Sequence, residues 1–202
     1  MPESTIIASD ISPALAALRE ATRTLHETLD AASPLTGPGF TGADYLAYAT
    51  RVAGWMRPVE RQLYNTGLPW PEAVDAPARS LKSLWLAEDI GEALHSAPEC
   101  PYTPTPYSLA AAYGLAYVCE GATLGGAYLY KRLLPQLAPL PLQWLRGYSA
   151  QTGPMWKSFT ASLATEVTTP EQIEAAANAA REGFITFERW MREGQCVNLG
   201  SA

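Results

Sequence analysis

The stretch EGATLGGAYL, residues 120–129, contains three glycines, Gly121, Gly125 and Gly126, in a segment that otherwise has the character of a helix. The residues before it, YSLAAAYGLAYVC, and after it, YKRLLPQL, are largely apolar and show no strand-like alternation. Each glycine in a helix interior costs about 0.5–1 kcal/mol relative to alanine. We predict a helix over 106–134. Its glycines leave part of the backbone surface without side chains, and we expect this surface to have a role that outweighs their cost in stability.

The spacing of these glycines leaves two interpretations open. At 100° per residue, Gly114, Gly121 and Gly125 fall within about 40° of one another, and Gly126 lies about 100° to one side. Gly121 and Gly125 have the GxxxG spacing that allows close packing of two helices. The adjacent glycines Gly125 and Gly126 instead favour a large flat ligand lying against the backbone, because helix packing does not need two neighbouring glycines.

The rest of the chain is also predicted to be helical, with proline-rich loops between the helices. Ser12 and Pro13 have the residue types of a helix N-terminus, and Thr169, Pro170 and Gln172 form a capping-box pattern for the last helix. The predicted helices are 13–31, 42–65, 77–94, 106–134, a broken pair within 142–165, and one from 170 onward. These patterns predict an all-α bundle of six to eight helices in one domain over residues 1–202, with a core from about 14 to 194 and flexible termini.

Composition narrows the class of protein. The chain of 202 residues is 48% hydrophobic and 17% charged, with a net charge of −6, so nucleic acid is not an expected partner. Cys100, Cys119 and Cys196 form no C-x-x-C motif, and we expect a reducing cytoplasm rather than a disulfide framework or a zinc site. The segment MPESTIIASDISP lacks the features of a secretory signal. Glu120 in the apolar stretch 106–130 favours a buried helix over a membrane span.

One of the two histidines is a candidate ligand. His26 borders the apolar stripe of the first helix, and Arg19 lies two turns earlier, about 10 Å away. A neutral imidazole with a cation at that distance suits a metal macrocycle that carries acidic groups. Alternatively, His26 is an ordinary helix residue bonded to a carbonyl or a carboxylate. His95, in the last turn of the third helix, and the thiol of Cys100 are weaker candidates.

These segments resemble the haem oxygenase family. LREATRTLHETLD resembles the proximal helix of that family, and YVCEGATLGGAYL resembles the distal-helix signature of its bacterial branch, in particular the enzymes associated with bacteriophytochromes. MWKSFTASL and REGFITFERW resemble the last two helical segments, so the resemblance covers about 14–194. It implies an all-helical fold that binds haem between the first and the distal helix. The implied reaction is the oxidation of haem by O₂ and external electrons to biliverdin, carbon monoxide and ferrous iron.

The resemblance also assigns residues and partners. It implies His26 as the proximal iron ligand, Arg19 and Lys157 as contacts of the haem propionates, and Phe184 as an aromatic of the pocket. Gly121, Gly125 and Gly126 match the distal glycines. The implied partners are haem itself, an electron donor such as a ferredoxin or a reductase, and a bacteriophytochrome that receives biliverdin.

The sequence departs from this pattern at one position. Animal-type relatives have an aspartate where this chain has Ala122, which puts the route of proton delivery in doubt. Glu120 points about 100° away from Gly121 and is expected to pair structurally. The departure motivates an alternative function, a haem-binding or carrier protein without turnover. A third hypothesis is a haem-free helical protein of the same broad fold.

Overall fold

The computed structural model describes residues 11–198, which form a bundle of α-helices without β-strands. Six of the helices have nine residues or more, and three are single turns, so the all-α prediction of six to eight helices is confirmed for this part of the chain. In chain order they are α1 (Pro13–Ala31), α2 (Gly42–Tyr64), α3 (Ala76–Arg79), α4 (Lys82–Ile90), α5 (Ala93–Ser96), α6 (Leu109–Leu137), α7 (Gln143–Arg146), α8 (Thr152–Glu166) and α9 (Pro170–Asn198).

The predicted helix starts are present at both ends of the bundle. The Ser12 hydroxyl accepts a hydrogen bond from the backbone N–H of Leu15 at 3.3 Å, with Pro13 in the first turn of α1. At the start of α9, Thr169 accepts from the N–H of Gln172 at 3.3 Å, and the Gln172 side chain accepts from the N–H of Thr169 at 3.0 Å. These caps satisfy backbone donors that the helix itself leaves without partners.

The single helix predicted over 77–94 is wrong. This segment is divided into α3, α4 and α5, and α4 ends where Gly91 takes a φ of +58°. The start of α4 depends on a distant residue, because the Glu60 carboxylate accepts from the backbone N–H groups of Lys82 at 2.6 Å and Ser83 at 3.0 Å. A capping carboxylate from another helix is a tertiary contact that local periodicity does not contain.

The boundaries predicted for the glycine-containing helix are also shifted. α6 begins at Leu109, where Ser108 caps it, and continues through Pro135 to Leu137. A proline so close to the C-terminus of a helix removes a hydrogen bond only from the last turns, so the helix continues. The broken pair predicted within 142–165 is confirmed as α7 and α8. No helix in the described part of the chain has the length and apolar character needed to cross a bilayer.

Helix α9 is the central element of the bundle, because α1 and α6 both pack along it and do not pack extensively on each other within residues 11–198. The tightest approach is at Gly114 of α6. A Cβ atom added there would lie 2.0 Å from the carbonyl oxygen of Ala176 in α9. The helix-packing interpretation of the glycines is therefore correct at Gly114.

We expect Gly114→Ala to lower the free energy of unfolding by at least about 2 kcal/mol, because the added methyl group forces α6 and α9 apart. Denaturant unfolding of the haem-free protein measures this change. Gly121→Ala is the matched control, since nothing lies within 4 Å of an added Cβ at that position. The control is expected to leave stability unchanged or to raise it by up to about 1 kcal/mol. Equal losses in the two variants would contradict the packing difference.

Candidate functional site

His26 projects from α1 beside a carboxylate of the same helix. Its Nδ1 atom lies 3.0 Å from Oδ2 of Asp30, one helical turn later, and 58% of the side chain is exposed. With Nδ1 facing the Asp30 carboxylate, the neutral tautomer that carries its proton on Nδ1 leaves the Nε2 lone pair free for a metal. The sequence analysis missed Asp30, although the spacing of four residues after the histidine was a usable signal.

Two consecutive residues of α9 connect this histidine to α6. The Phe184 ring is buried, and its centroid lies 5.9 Å from that of the His26 ring. A Cβ atom added at the preceding residue, Gly183, would lie 3.1 Å from the side chains of both Leu115 and Val118 of α6. The imidazole therefore lies at the same level of the bundle as the part of α6 that leads to Gly121.

Beyond Val118, the glycine face of α6 is open. A Cβ atom added at Gly121 or Gly125 would have no non-local neighbour within 4 Å, in contrast to Gly114 on the same face. We call Gly121 and Gly125 the open glycine strip. Tyr128 follows on this face and is 80% exposed. The strip is thus a bare backbone surface next to exposed apolar side chains, which is the arrangement that the ligand interpretation predicted.

The structure does not bring Gly126 to the open glycine strip. Gly126 is buried on another side of α6, and a Cβ atom added there would lie 3.4 Å from Cα of Leu145 in α7. Of the three glycines assigned by resemblance, two therefore face open space and the third is in contact with a neighbouring helix. The close approach of α7 explains why a glycine is suited to position 126.

The two basic residues assigned by resemblance are exposed, and their side chains make no hydrogen bond or ion pair with other described residues. Arg19 lies on α1, seven residues before His26. Lys157 lies on α8 next to Trp156, whose ring centroid is 5.8 Å from that of Tyr117, one turn before Gly121. Both cations are therefore available to carboxylates of a ligand, and α8 reaches the part of α6 beside the strip.

The alternative ligands are less well placed. His95 is exposed on α5, and its Nδ1 atom lies 3.3 Å from the carbonyl oxygen of Glu92. Cys100 is buried, and burial raises the pKa of its thiol, which disfavours the thiolate that a metal would need. No group of three His, Cys, Asp or Glu side chains in the described residues has the arrangement of a protein-only metal site.

Glu120 pairs structurally, as the sequence analysis expected. Its carboxylate is buried and lies 2.6 Å from Nη1 of Arg79 and 2.7 Å from Nζ of Lys82. It is therefore not available as a base beside the strip. The pairing of Glu120 is confirmed, but nothing in the sequence pattern indicated which cations it binds.

A separate cavity of about 560 Å³ lies between the C-terminal half of α6 and the segment from α7 to the start of α8. Leu124 and Tyr128 connect its wall to the neighbourhood of the open glycine strip, and Lys131 and Arg146 add positive charge. None of the residues assigned to the site lines it. The ligand site is defined better by the uncovered backbone and the oriented imidazole than by this cavity.

A family model described as Heme oxygenase matches residues 12–193 of the chain. The chain belongs to the haem oxygenase family. Among solved structures, the NO- and CO-bound haem oxygenase from Neisseria meningitidis is similar, with a TM-score of 0.70 and 20% sequence identity over 91% of this chain and 92% of that one. This likeness concerns the fold. No curated protein sequence matches the chain at a significant level.

Family membership confirms the coarser part of the sequence-based predictions. The haem oxygenase fold is an all-α bundle, and the family consists of enzymes that degrade haem oxidatively. Haem is thus the expected substrate of this family member.

Proposed function

We propose that this haem oxygenase cleaves haem with O₂ and externally supplied electrons and releases biliverdin, carbon monoxide and ferrous iron. One observation supports this most directly. His26, beside Asp30, and the open glycine strip are brought to one level of the bundle by Gly183 and Phe184 of α9, and no residue within 11–198 packs on Gly121 or Gly125. An oriented nitrogen ligand and an uncovered backbone are what a flat metal macrocycle needs on its two faces.

The groups around the imidazole have separable roles in this proposal. Nε2 of His26 binds the haem iron, Asp30 keeps the tautomer that leaves Nε2 available, and Phe184 packs against the macrocycle. Arg19 and Lys157 bind the two propionates, because each is exposed and free of intramolecular ion pairs in the described residues. Haem, as the bound substrate, supplies the redox chemistry, and the protein supplies binding, orientation and control of water.

The open glycine strip has a different role. Without side chains at Gly121 and Gly125, the backbone can lie close to the macrocycle while a small gas still fits between them. Backbone carbonyls of the strip can hold ordered water, which supplies protons without a charged side chain. In this arrangement Gly126 contributes through its contact with α7, and its assignment as a distal residue remains a prediction.

A haem-binding or carrier protein without turnover is the second candidate. Ala122 provides no carboxylate next to Gly121, and Glu120 is occupied by Arg79 and Lys82. If proton delivery requires a side-chain acid at this place, the chain binds haem and does not cleave it. The family model weighs against the third hypothesis of a haem-free protein.

The wider setting is part of the proposal. We infer one domain over residues 1–202, a cytoplasmic location, a ferredoxin or reductase as electron donor, and delivery of biliverdin to a bacteriophytochrome. The match over residues 12–193 supports one domain, and the resemblance of YVCEGATLGGAYL to the bacteriophytochrome-associated branch supports the delivery of biliverdin.

A spectroscopic assay distinguishes the candidates. Haemin is added to the purified protein, then ascorbate or a ferredoxin with its reductase, with catalase present because peroxide degrades haem without enzyme. We expect a sharp Soret band that decays as a biliverdin band and carbon monoxide appear. A Soret band that persists under reduction supports the carrier. If no sharp Soret band forms at all, neither haem-dependent function holds.

A further inference from the structure

A buried ionic cluster lies on the side of α6 next to the open glycine strip. Glu120, the residue before Gly121, accepts hydrogen bonds from Nη1 of Arg79 at 2.6 Å, from Nζ of Lys82 at 2.7 Å and from the Tyr148 hydroxyl at 3.0 Å. The side chains of Arg79, Lys82 and Glu120 are almost completely removed from solvent. We call these four residues the Glu120 cluster.

The polar atoms of this cluster are well satisfied. Lys82 uses its three N–H bonds on Glu120, on the Arg79 carbonyl at 2.9 Å and on the Tyr148 hydroxyl at 2.9 Å. Arg79 also donates to the carbonyl of Met155 and to the hydroxyl of Ser158, each at 3.0 Å. Burial opposes the charge of Lys82, but the attraction of Glu120 outweighs it and raises the pKa of Lys82 above its usual value.

Stability alone does not explain such a cluster. Well-packed apolar residues in place of a buried ion pair are often neutral or stabilising, because the pair must be removed from water. The cluster instead fixes the position of α6. It joins α3, α4 and the start of α8 to one residue of α6, and its directional bonds tolerate little rotation of that helix.

The strip needs such a fixation because its other side is uncovered. No described residue packs against Gly121 or Gly125 on the open side, so α6 is positioned here by contacts on its other sides. Besides Glu120, these contacts include Thr123 against Gly147 and Gly126 against Leu145. A rotation of α6 by 20° about its axis would move backbone atoms by about 0.8 Å, whereas reactive geometries require a tolerance of about 0.5 Å.

We propose that Arg79, Lys82 and Tyr148 are positioning residues for haem cleavage. By holding Glu120 they fix the angle at which Gly121 and Gly125 face the bound haem, and thereby select which carbon of the macrocycle is oxidised. This inference rests on the proposed function. The cluster is not placed in contact with the substrate. It is therefore expected to affect which product forms rather than how tightly haem binds.

The test compares two variants of the cluster with a core variant outside it. Tyr148→Phe removes one donor to Glu120 and keeps the ring that packs edge-on against Trp85 at 5.0 Å. Glu120→Gln removes the charge that Arg79 and Lys82 share. Met56→Ala, at a buried position of α2 outside the four residues of the cluster, is the control for loss of stability. The measurements are the distribution of biliverdin isomers, the C–O stretching frequency of the ferrous carbon monoxide complex, haemin affinity and denaturant unfolding.

We expect minor biliverdin isomers to increase about twofold in Tyr148→Phe and about fivefold or more in Glu120→Gln, because small displacements at a reacting centre have large effects on rate. The C–O stretching frequency is expected to shift less in Tyr148→Phe than in Glu120→Gln. Haemin affinity is expected to change by less than about threefold in both, because His26 is untouched. Met56→Ala leaves isomers and frequency as in the parent. If Glu120→Gln does not fold, Tyr148→Phe decides.

Unchanged isomers and an unchanged C–O frequency in the cluster variants would overturn the inference, as would equal changes in Met56→Ala. The result is separable from failure of the proposed function. A parent protein that binds haem without forming biliverdin contradicts the function, and the C–O frequency then still tests whether the cluster positions the strip. A parent that binds no haem overturns both.

Discussion

Replacing His26 by alanine is expected to reduce haem turnover by at least about 100-fold, because the haem iron loses the one ligand that the protein provides in the proposed site. The fold is expected to remain intact. With 58% of the side chain exposed, the substitution removes little packing and changes the free energy of unfolding by no more than about 0.5 kcal/mol. The Soret band of added haemin should shift and broaden, and turnover is followed as biliverdin formed per minute.

Added imidazole is expected to restore part of the activity of His26→Ala, since a small ligand can enter the space left by the side chain. Asp30→Asn is a graded companion, because the loss of the carboxylate that orients a ligating histidine weakens its metal affinity by about 10–100-fold. His95→Ala, an exposed histidine outside the site, is the matched control and should behave as the parent. An unchanged spectrum and rate in His26→Ala would remove the basis for assigning the iron ligand.

The second large effect is expected for Gly125→Leu. A leucine side chain at this position projects into the space above the open glycine strip, where O₂ would bind in the proposed site. We expect turnover and carbon monoxide affinity to fall by about 100-fold or more, consistent with the sensitivity of reactive geometry to displacements near 1 Å. Haemin should still bind through His26 and give a Soret band.

This variant is informative because it is expected to fold. Nothing non-local lies within 4 Å of a Cβ atom at position 125, and leucine favours the helix more than glycine, so the haem-free protein should be at least as stable as the parent. Ala47→Leu, at an exposed alanine of α2, controls for the addition of an apolar side chain to a helix surface. Turnover in Gly125→Leu equal to that of Ala47→Leu would show that the strip does not face the reacting centre.

Secondary structure was predictable where local chemistry sets it. The start of α1 at Ser12 and Pro13 and the capping box of Thr169 and Gln172 involve residues within one turn of each other, so their pattern is complete in the sequence. The segment over 77–94 was not predictable in this way. Its division depends on Glu60 of α2, which caps α4 from a distance in sequence.

The candidate site likewise has features that local sequence contains and features that depend on distant residues. The spacing of Asp30 four residues after His26 is a local feature of α1, and the sequence analysis missed it although it was available. The partners of Glu120 were not available, because Arg79 and Lys82 belong to other helices. Their choice depends on how α3 and α4 pack against α6, and no local pattern reports this.

The glycines of α6 show most clearly what could and could not be predicted from the sequence. Residue spacing alone established that Gly114, Gly121 and Gly125 share one face of a helix, and that such a face favours either close packing or a ligand. The packing interpretation is correct at Gly114, which touches the backbone of Ala176, and the ligand interpretation of Gly121 and Gly125, which face open space, stays a prediction. The helical repeat gives the direction of each residue around the helix axis. It does not tell at which residue a neighbouring helix stops making contact. The difference between Gly114 and the other two glycines therefore arises from the packing of the folded chain.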